Sequence, residues 1–333
     1  MDSISPEADA PISSAPRSRW LGFLLKAGLA AALIYWMARS GKLDFRQAAA
    51  ATAHWPLLLA AAFITYVGIW IMSMRWNVLL RSQGIRISQF DAFSLSMIGI
   101  LFSTIIPGSV SGDVVKAYYI ADRAPDKKAR AVTTILVDRV AGLVMLLAIS
   151  SVAGIWKLPV IFRNHAASVF YLTVVAATVG GGLFLLAAIL LSGHTLRWVE
   201  NFAERFRWLG FLAHPLRALE VFRSSPAPLV WAMLLSVPAQ LAACLAFFFC
   251  GRALGSSALS LVDSMLVVPL GFTAMALPIA PAGIGVGQMA FYSLFELLLG
   301  APGTAGSSIS LVFQVLYLAV TATGLIFYLQ QRG

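Results

Sequence analysis

The sequence predicts an all-α polytopic integral membrane protein with about six full spans and two re-entrant, broken-helix segments related as an inverted repeat. Three observations carry this. Of the 333 residues, 59% are AVILMFWYC and only 11% are charged, against roughly 25% charged in a soluble domain. Charge-poor apolar runs of about the ~20 residues that cross a bilayer recur along the chain. A Gly-spaced motif occurs twice, each time inside an apolar stretch: Pro107-Gly108-Ser-Val-Ser-Gly112-Asp113 and Pro281-Ala-Gly283-Ile-Gly285-Val-Gly287-Gln288. Aligned on the glycines, both copies read G-x-x-x-G followed by one polar side chain. Pro and Gly break helices, and a break within lipid is tolerated only where protein or a water-filled cavity satisfies the freed backbone groups.

In chain order, residues 1–16 are rich in Ser, Pro, Ala and Asp and read as a disordered cytoplasmic tail. The first apolar run begins after Arg17, Arg19 and Trp20, too late for an ordinary signal peptide, so 20–38 reads as a retained span. Further full spans are expected at about 57–80, 130–155, 168–191, 228–251 and 307–330, and the broken segments at about 90–122 and 260–299. Residues 17–333 thus form a single membrane domain. Three spans separate the two motifs, so the re-entrant segments enter from opposite faces, the parity of an inverted repeat. At about 1.5 Å per residue the piece 111–122 reaches only half of the hydrocarbon core and reads as a half-helix. In the longest loop, Trp198, Phe202, Phe206 and Leu209 alternate with Arg and Glu at helical spacing, which predicts an interfacial amphipathic helix over about 195–223. A soluble helix packed on neighbouring loops is the alternative.

The formal net charge of +10 sits at helix ends. With the N-terminus in the cytoplasm, fourteen basic residues fall inside and six outside, in line with the positive-inside rule. An anionic inner leaflet attracts these residues, so no nucleic-acid partner is needed. Cys244 and Cys250, the two cysteines, lie in one expected span at a spacing that suits neither zinc nor redox chemistry and read as packing residues. No metal-binding cluster, cofactor motif or nucleophile–base arrangement is present, and Gly283-x-Gly285 lacks the strand–turn–helix context of a nucleotide site.

Ionisable residues within a span need partners or a purpose. Asp138 and Arg139 are neighbours on one helix, point about 100° apart and must look to other helices. A structural ion pair and a site role both remain open for them. Arg75, followed by Trp76, sits near the cytoplasmic end of its span, where it can snorkel as an anchor or serve a site. Asp113 falls in the first turn of the half-helix, where Ser111 could cap and the helix dipole favours an acid. Lys116, at i+3, can pair with Asp113. As a site residue Asp113 repels a bare phosphate and suits a cation, a proton or a neighbouring arginine. For Gly283 and Gly287 a helix-packing face competes with a true break, and Pro281 favours the break.

Arg75-Trp76 with Leu79, Leu80 and Gly84, then Pro107-Gly108, Gly112-Asp113 and Lys116, the Asp138-Arg139 pair and Pro281-x-Gly283-x-Gly285-x-Gly287 resemble the lysylphosphatidylglycerol synthase transmembrane (flippase-like) family. The resemblance covers about 20–330 and identifies the chain as a stand-alone member without an aminoacyltransferase domain. It departs at Gln288, where the family usually has Glu. The resemblance implies a lipid flippase or transporter of a bacterial-type inner membrane. Asp113, Arg139, Asp138, Arg75, Lys116 and Gln288 would then contact a charged lipid headgroup, and Gly108, Gly112, Gly283, Gly285 and Gly287 would open the backbone. A membrane-embedded lipid-modifying enzyme, and a non-transporting partner of a lipid-synthesising enzyme, are the other readings.

Overall fold

The computed structural model describes residues 17–105, 111–190, 226–256, 259–277 and 279–331. The N-terminal tail, the Pro107-Gly108 break and the expected amphipathic helix over 195–223 lie outside them. Helix α1 spans Arg17–Arg39, α2 Phe45–Ala50, α3 Trp55–Ser82, α4 Gln89–Ile105, α5 Ser111–Arg123, α6 Lys128–Gly154, α7 Leu158–Ile161 and α8 His165–Leu190. After residue 226 come α9 (Ala227–Ala253), α10 (Leu261–Met275), α11 (Val286–Leu294), which continues as a π-turn over Phe295–Leu299, α12 (Gly303–Ala322) and α13 (Gly324–Gln330). Five stretches are long and apolar enough to cross a membrane: Phe45–Ser82, Pro125–Ile161, His165–Ala187, Ala227–Ala253 and Gly303–Gln330. They coincide with five of the six expected spans. The remaining one, 20–38, falls in the 23-residue helix α1.

Two copies of one unit make up the bundle: a long helix, a hairpin of two shorter helices, and a second long helix. These are α3, α4–α5 and α6 in the first copy, and α9, α10–α11 and α12 in the second. The long helices α3 and α9 pack on each other along their length, α6 lies on α10, and α4 lies on α12 and α13. Exchanging the copies maps the α3–α9 contact onto itself and the α6–α10 contact onto that between α12 and α4.

The correspondence reaches individual residues and has local causes. Pro56 and Pro228 stand in the first turns of α3 and α9, where a missing N–H costs nothing. Both helices stop at a glycine in the left-handed region, Gly84 at φ +71° and Gly255 at φ +68°. There the next amide returns to the last turn: Ile85 N–H donates to Leu80 C=O at 3.0 Å and Ser256 N–H to Gly251 C=O at 3.1 Å. Each hairpin then opens on Ser-x-x-Asp. Asp91 N–H donates to Ser88 Oγ at 3.0 Å, and Asp263 N–H to Ser260 Oγ at 3.1 Å. Each carboxylate takes the serine hydroxyl at 2.6 Å.

The core follows the copies. Cys244 and Cys250 are buried in the largest apolar cluster with Phe247, Phe291, Phe295 and Phe313, as packing residues. Trp76, Leu80, Leu95, Ile120 and Ile135 form the cluster where α3, α4, α5 and α6 meet.

Candidate functional site

In the first copy, α3, α5 and α6 bring five ionisable side chains together at mid-bundle. Asp138 stands ten residues into α6, roughly 15 Å along its axis. Arg75 grips it from α3 with two bonds, Nε to Oδ1 at 2.7 Å and Nη2 to Oδ2 at 2.9 Å. The third nitrogen, Nη1, donates to Ser236 Oγ on α9 at 2.9 Å, and Ser236 in turn donates to Ala232 C=O. Arg75 is 4% exposed and Asp138 5%, so the anchoring reading of Arg75 fails. Its position near a span end suggested snorkelling, but the side chain turns inward because a carboxylate on the facing helix offers a planar fork for the guanidinium. Space for it comes from Gly142, where a Cβ would stand 2.8 Å from Nη1.

Arg139, the next residue, faces away from Asp138 as helical geometry requires and reaches α5. Its Nε donates to Asp113 Oδ2 and its Nη2 to Oδ1, both at 2.9 Å. This pair lies at the edge of the bundle, with side-chain exposures of 59% for Arg139 and 16% for Asp113. Tyr317 on α12 is within electrostatic reach of Arg139, so the pair borders the second copy. Ser111 is the first residue of α5 and donates to Phe102 C=O at 3.4 Å, which ties the half-helix to α4.

Lys116 does not form the expected ion pair with Asp113, whose two oxygens are taken by Arg139. Its ammonium instead sits 3.9 Å from the centroid of the Trp76 ring, while its stem crosses the backbone at Gly99. The side chain is buried at 8% exposure. It interacts electrostatically with all four other charges, Asp138 and Asp113 favourably and Arg139 and Arg75 unfavourably, which places it within the cluster.

The second copy repeats this framework without charge. Arg139 lies 26 residues after Asp113, and Gln314 lies 26 residues after Gln288. Gln288 Nε2 donates to Gln314 Oε1 at 2.6 Å where the first copy has its exposed ion pair. Phe291 replaces Lys116 and stacks on Phe247, which replaces Trp76, with ring centroids 4.6 Å apart. Gly271 matches Gly99, for a Cβ at Gly99 would run into Lys116 and one at Gly271 into Phe291. Ala246 and Phe313 stand where the first copy has Arg75 and Asp138.

The break in this copy is real. Ala282, Gly283 and Gly285 have φ of +51°, +69° and +81°, so the helix-packing alternative for Gly283 fails there. Gly287 lies within α11, against Met275. Gln288 holds the turn together: Gly285 N–H donates to its Oε1 at 2.7 Å, and Gln314 Nε2 donates to Ala282 C=O at 2.8 Å. Gln288 is fully buried and both ends of its amide are engaged, so it serves the loop rather than an open headgroup site. Gln314 was not singled out from the sequence. The equal 26-residue spacing is the signal that could have found it.

Among the described residues no group of three or more His, Cys, Asp or Glu could hold a metal ion. Neither the curated proteins nor the solved structures contain a match to this chain. The family model described as the lysylphosphatidylglycerol synthase TM region matches residues 23–324, nearly the whole described bundle, and the chain belongs to that family.

Proposed function

We propose that the protein is a lipid flippase or transporter that moves a charged headgroup between the leaflets of a bacterial-type inner membrane, with its N-terminus in the cytoplasm. The observation that supports this is the gathering of Arg75, Asp113, Lys116, Asp138 and Arg139 at mid-bundle, with the Asp113–Arg139 pair open at its edge. An ionised side chain at this depth costs about 2.5–3.5 kcal/mol on insertion scales, and such residues ordinarily mark a substrate or ion path. A hairpin broken within the membrane is an architecture transporters use to bring polar groups to the midplane; the second copy carries such a break at Ala282–Gly285, and the sequence expects one at Pro107-Gly108 in the first. The three long helices α6, α8 and α9 between the hairpins support opposite entry of the two copies.

In this reading Asp113, Arg139 and Lys116 meet the headgroup, and the buried Arg75–Asp138 pair holds α3 and α6 in register as a positioning element. The test is a leaflet assay with the full chain in proteoliposomes containing labelled lipids. Movement above empty vesicles, lost in Asp113→Asn, is the expected result. No movement of any anionic, aminoacylated or polyprenyl lipid refutes the proposal.

A further inference from the structure

The sign of the ligand follows from the charges of the cluster and from its neutral second copy. Among the described residues Arg75, Lys116 and Arg139 face Asp113 and Asp138, three positive charges against two negative, so the cluster carries one positive charge with no partner. Each carboxylate is engaged through both oxygens in a two-point ion pair. The lone charge belongs to Lys116: no carboxylate oxygen lies within 4 Å of its ammonium among the described residues, and its neighbour there is the face of Trp76. A largely buried ammonium with no hydrogen-bond acceptor among the described residues is a costly arrangement unless something supplies one. Arg139 has spare capacity as well, since Asp113 takes Nε and Nη2 and leaves Nη1 unbonded among the described residues on an exposed side chain.

Asp113 does not oppose an anion here. Its charge is cancelled by Arg139 at 2.9 Å, which removes the repulsion of a phosphate expected from the sequence. The second copy supplies the contrast. There Gln288–Gln314 and Phe291–Phe247 fill the same positions with no charge, so the fold does not need the cations. Their presence in one copy calls for a ligand.

We propose that the first copy alone is an anion site, and that it takes the singly negative phosphodiester headgroup of a membrane lipid on Lys116 and the free Nη1 edge of Arg139. This rests on the lipid-transport reading and names the chemistry of its substrate. A phosphodiester monoanion neutralises the cluster, and its unesterified oxygens can accept from both cations. A headgroup of net positive charge would add a second unbalanced charge to the first.

The test is binding of dioctanoyl phosphatidylglycerol, dioctanoyl phosphatidylcholine and inorganic phosphate to the full chain in a neutral detergent, followed by calorimetry. The glycerol lipid should bind at least about tenfold more tightly than the choline lipid, the factor set by about 1.4 kcal/mol. The double variant Asp113→Gln/Arg139→Gln and the single variant Lys116→Phe install the side chains of the second copy and should erase that preference, with thermal melting to check that they fold. Arg139→Lys, which keeps the charge, should retain most of it. Equal binding of the two lipids by the wild type overturns the proposal whatever the variants do, as does preference persisting in folded variants. Inorganic phosphate binding as tightly as the lipid overturns the lipid source. Anion preference without leaflet movement would leave this site standing and defeat the transport reading. Movement indifferent to headgroup charge would do the reverse.

Discussion

Deleting one member of the Arg75–Asp138 pair should destabilise the protein severely, whereas deleting both should not. The two side chains are 4% and 5% exposed and joined by bonds of 2.7 and 2.9 Å. Among the described residues, Asp138→Ala leaves Arg75 with Ser236 as its one remaining bonded partner and Asp113 as the sole carboxylate among three cations. Breaking a buried pair in this way costs about 3–5 kcal/mol, while replacing both partners by apolar residues of similar volume is often neutral or stabilising. Arg75→Met/Asp138→Leu should therefore lie within about 1 kcal/mol of wild type. The second copy already packs Ala246 and Phe313 at these positions. Reversible unfolding in mixed micelles, read by circular dichroism, measures all three variants. Single variants that each cost under about 1 kcal/mol would refute the reasoning, and so would a double variant as costly as the sum of the singles.

Other variants separate support from site. Gly271→Ala drives a methyl into the Phe291 ring, which is fixed against Phe247, and should cost about 1–3 kcal/mol by thermal or denaturant unfolding. Gly99→Ala meets the flexible stem of Lys116 instead, with the nearest atom at 2.7 Å, so it should cost less stability while displacing the ammonium and slowing lipid movement. Gln314→Leu strands Ala282 C=O and Gln288 Nε2, and should destabilise by about 1–3 kcal/mol with no direct loss of a charged site. Asp113→Asn keeps the shape of the exposed pair but weakens its charge-assisted bonds. Melting should change little, while leaflet movement should fall by at least about tenfold, the lower end of what a hydrogen bond to a charged group is worth.

Much of the architecture could be read from composition and punctuation. Apolar runs of span length located the long helices, and Pro281 with Gly283 and Gly285 marked a turn whose φ values only glycine adopts with ease. The neighbours Asp138 and Arg139 correctly implied partners on other helices, since adjacent helical residues diverge by about 100°. Which helices supplied those partners was not legible, because it depends on how α3, α5 and α6 are packed. Arg75 shows the limit. Distance along its span suggested the interface, yet the facing carboxylate, 63 residues away in sequence, decided its direction. Lys116 shows the same limit in reverse: a good i+3 partner lay on its own helix, but Arg139 had already engaged both oxygens of Asp113.

Comparison of the copies separates what the fold requires from what the cluster adds. Glycine stops at Gly84 and Gly255, Ser-x-x-Asp caps at Ser88 and Ser260, and close crossings at Gly99 and Gly271 occur in both copies. They meet backbone needs that every such hairpin has, because unsatisfied amides are costly in lipid. The five ionisable side chains occur in only one copy, and their counterparts Ala246, Gln288, Phe291, Phe313 and Gln314 build a fully buried junction without them. Stability therefore does not explain the charges, since a neutral solution to the same packing problem exists in the same chain. The second copy also closes its turn with a chain of three hydrogen bonds through Gln288 and Gln314. In the first copy the equivalent pair engages only part of its guanidinium and stays open at the edge of the bundle. One hairpin is built as a closed support and the other as a surface that can receive a ligand, so the two-fold likeness of the fold does not extend to its chemistry.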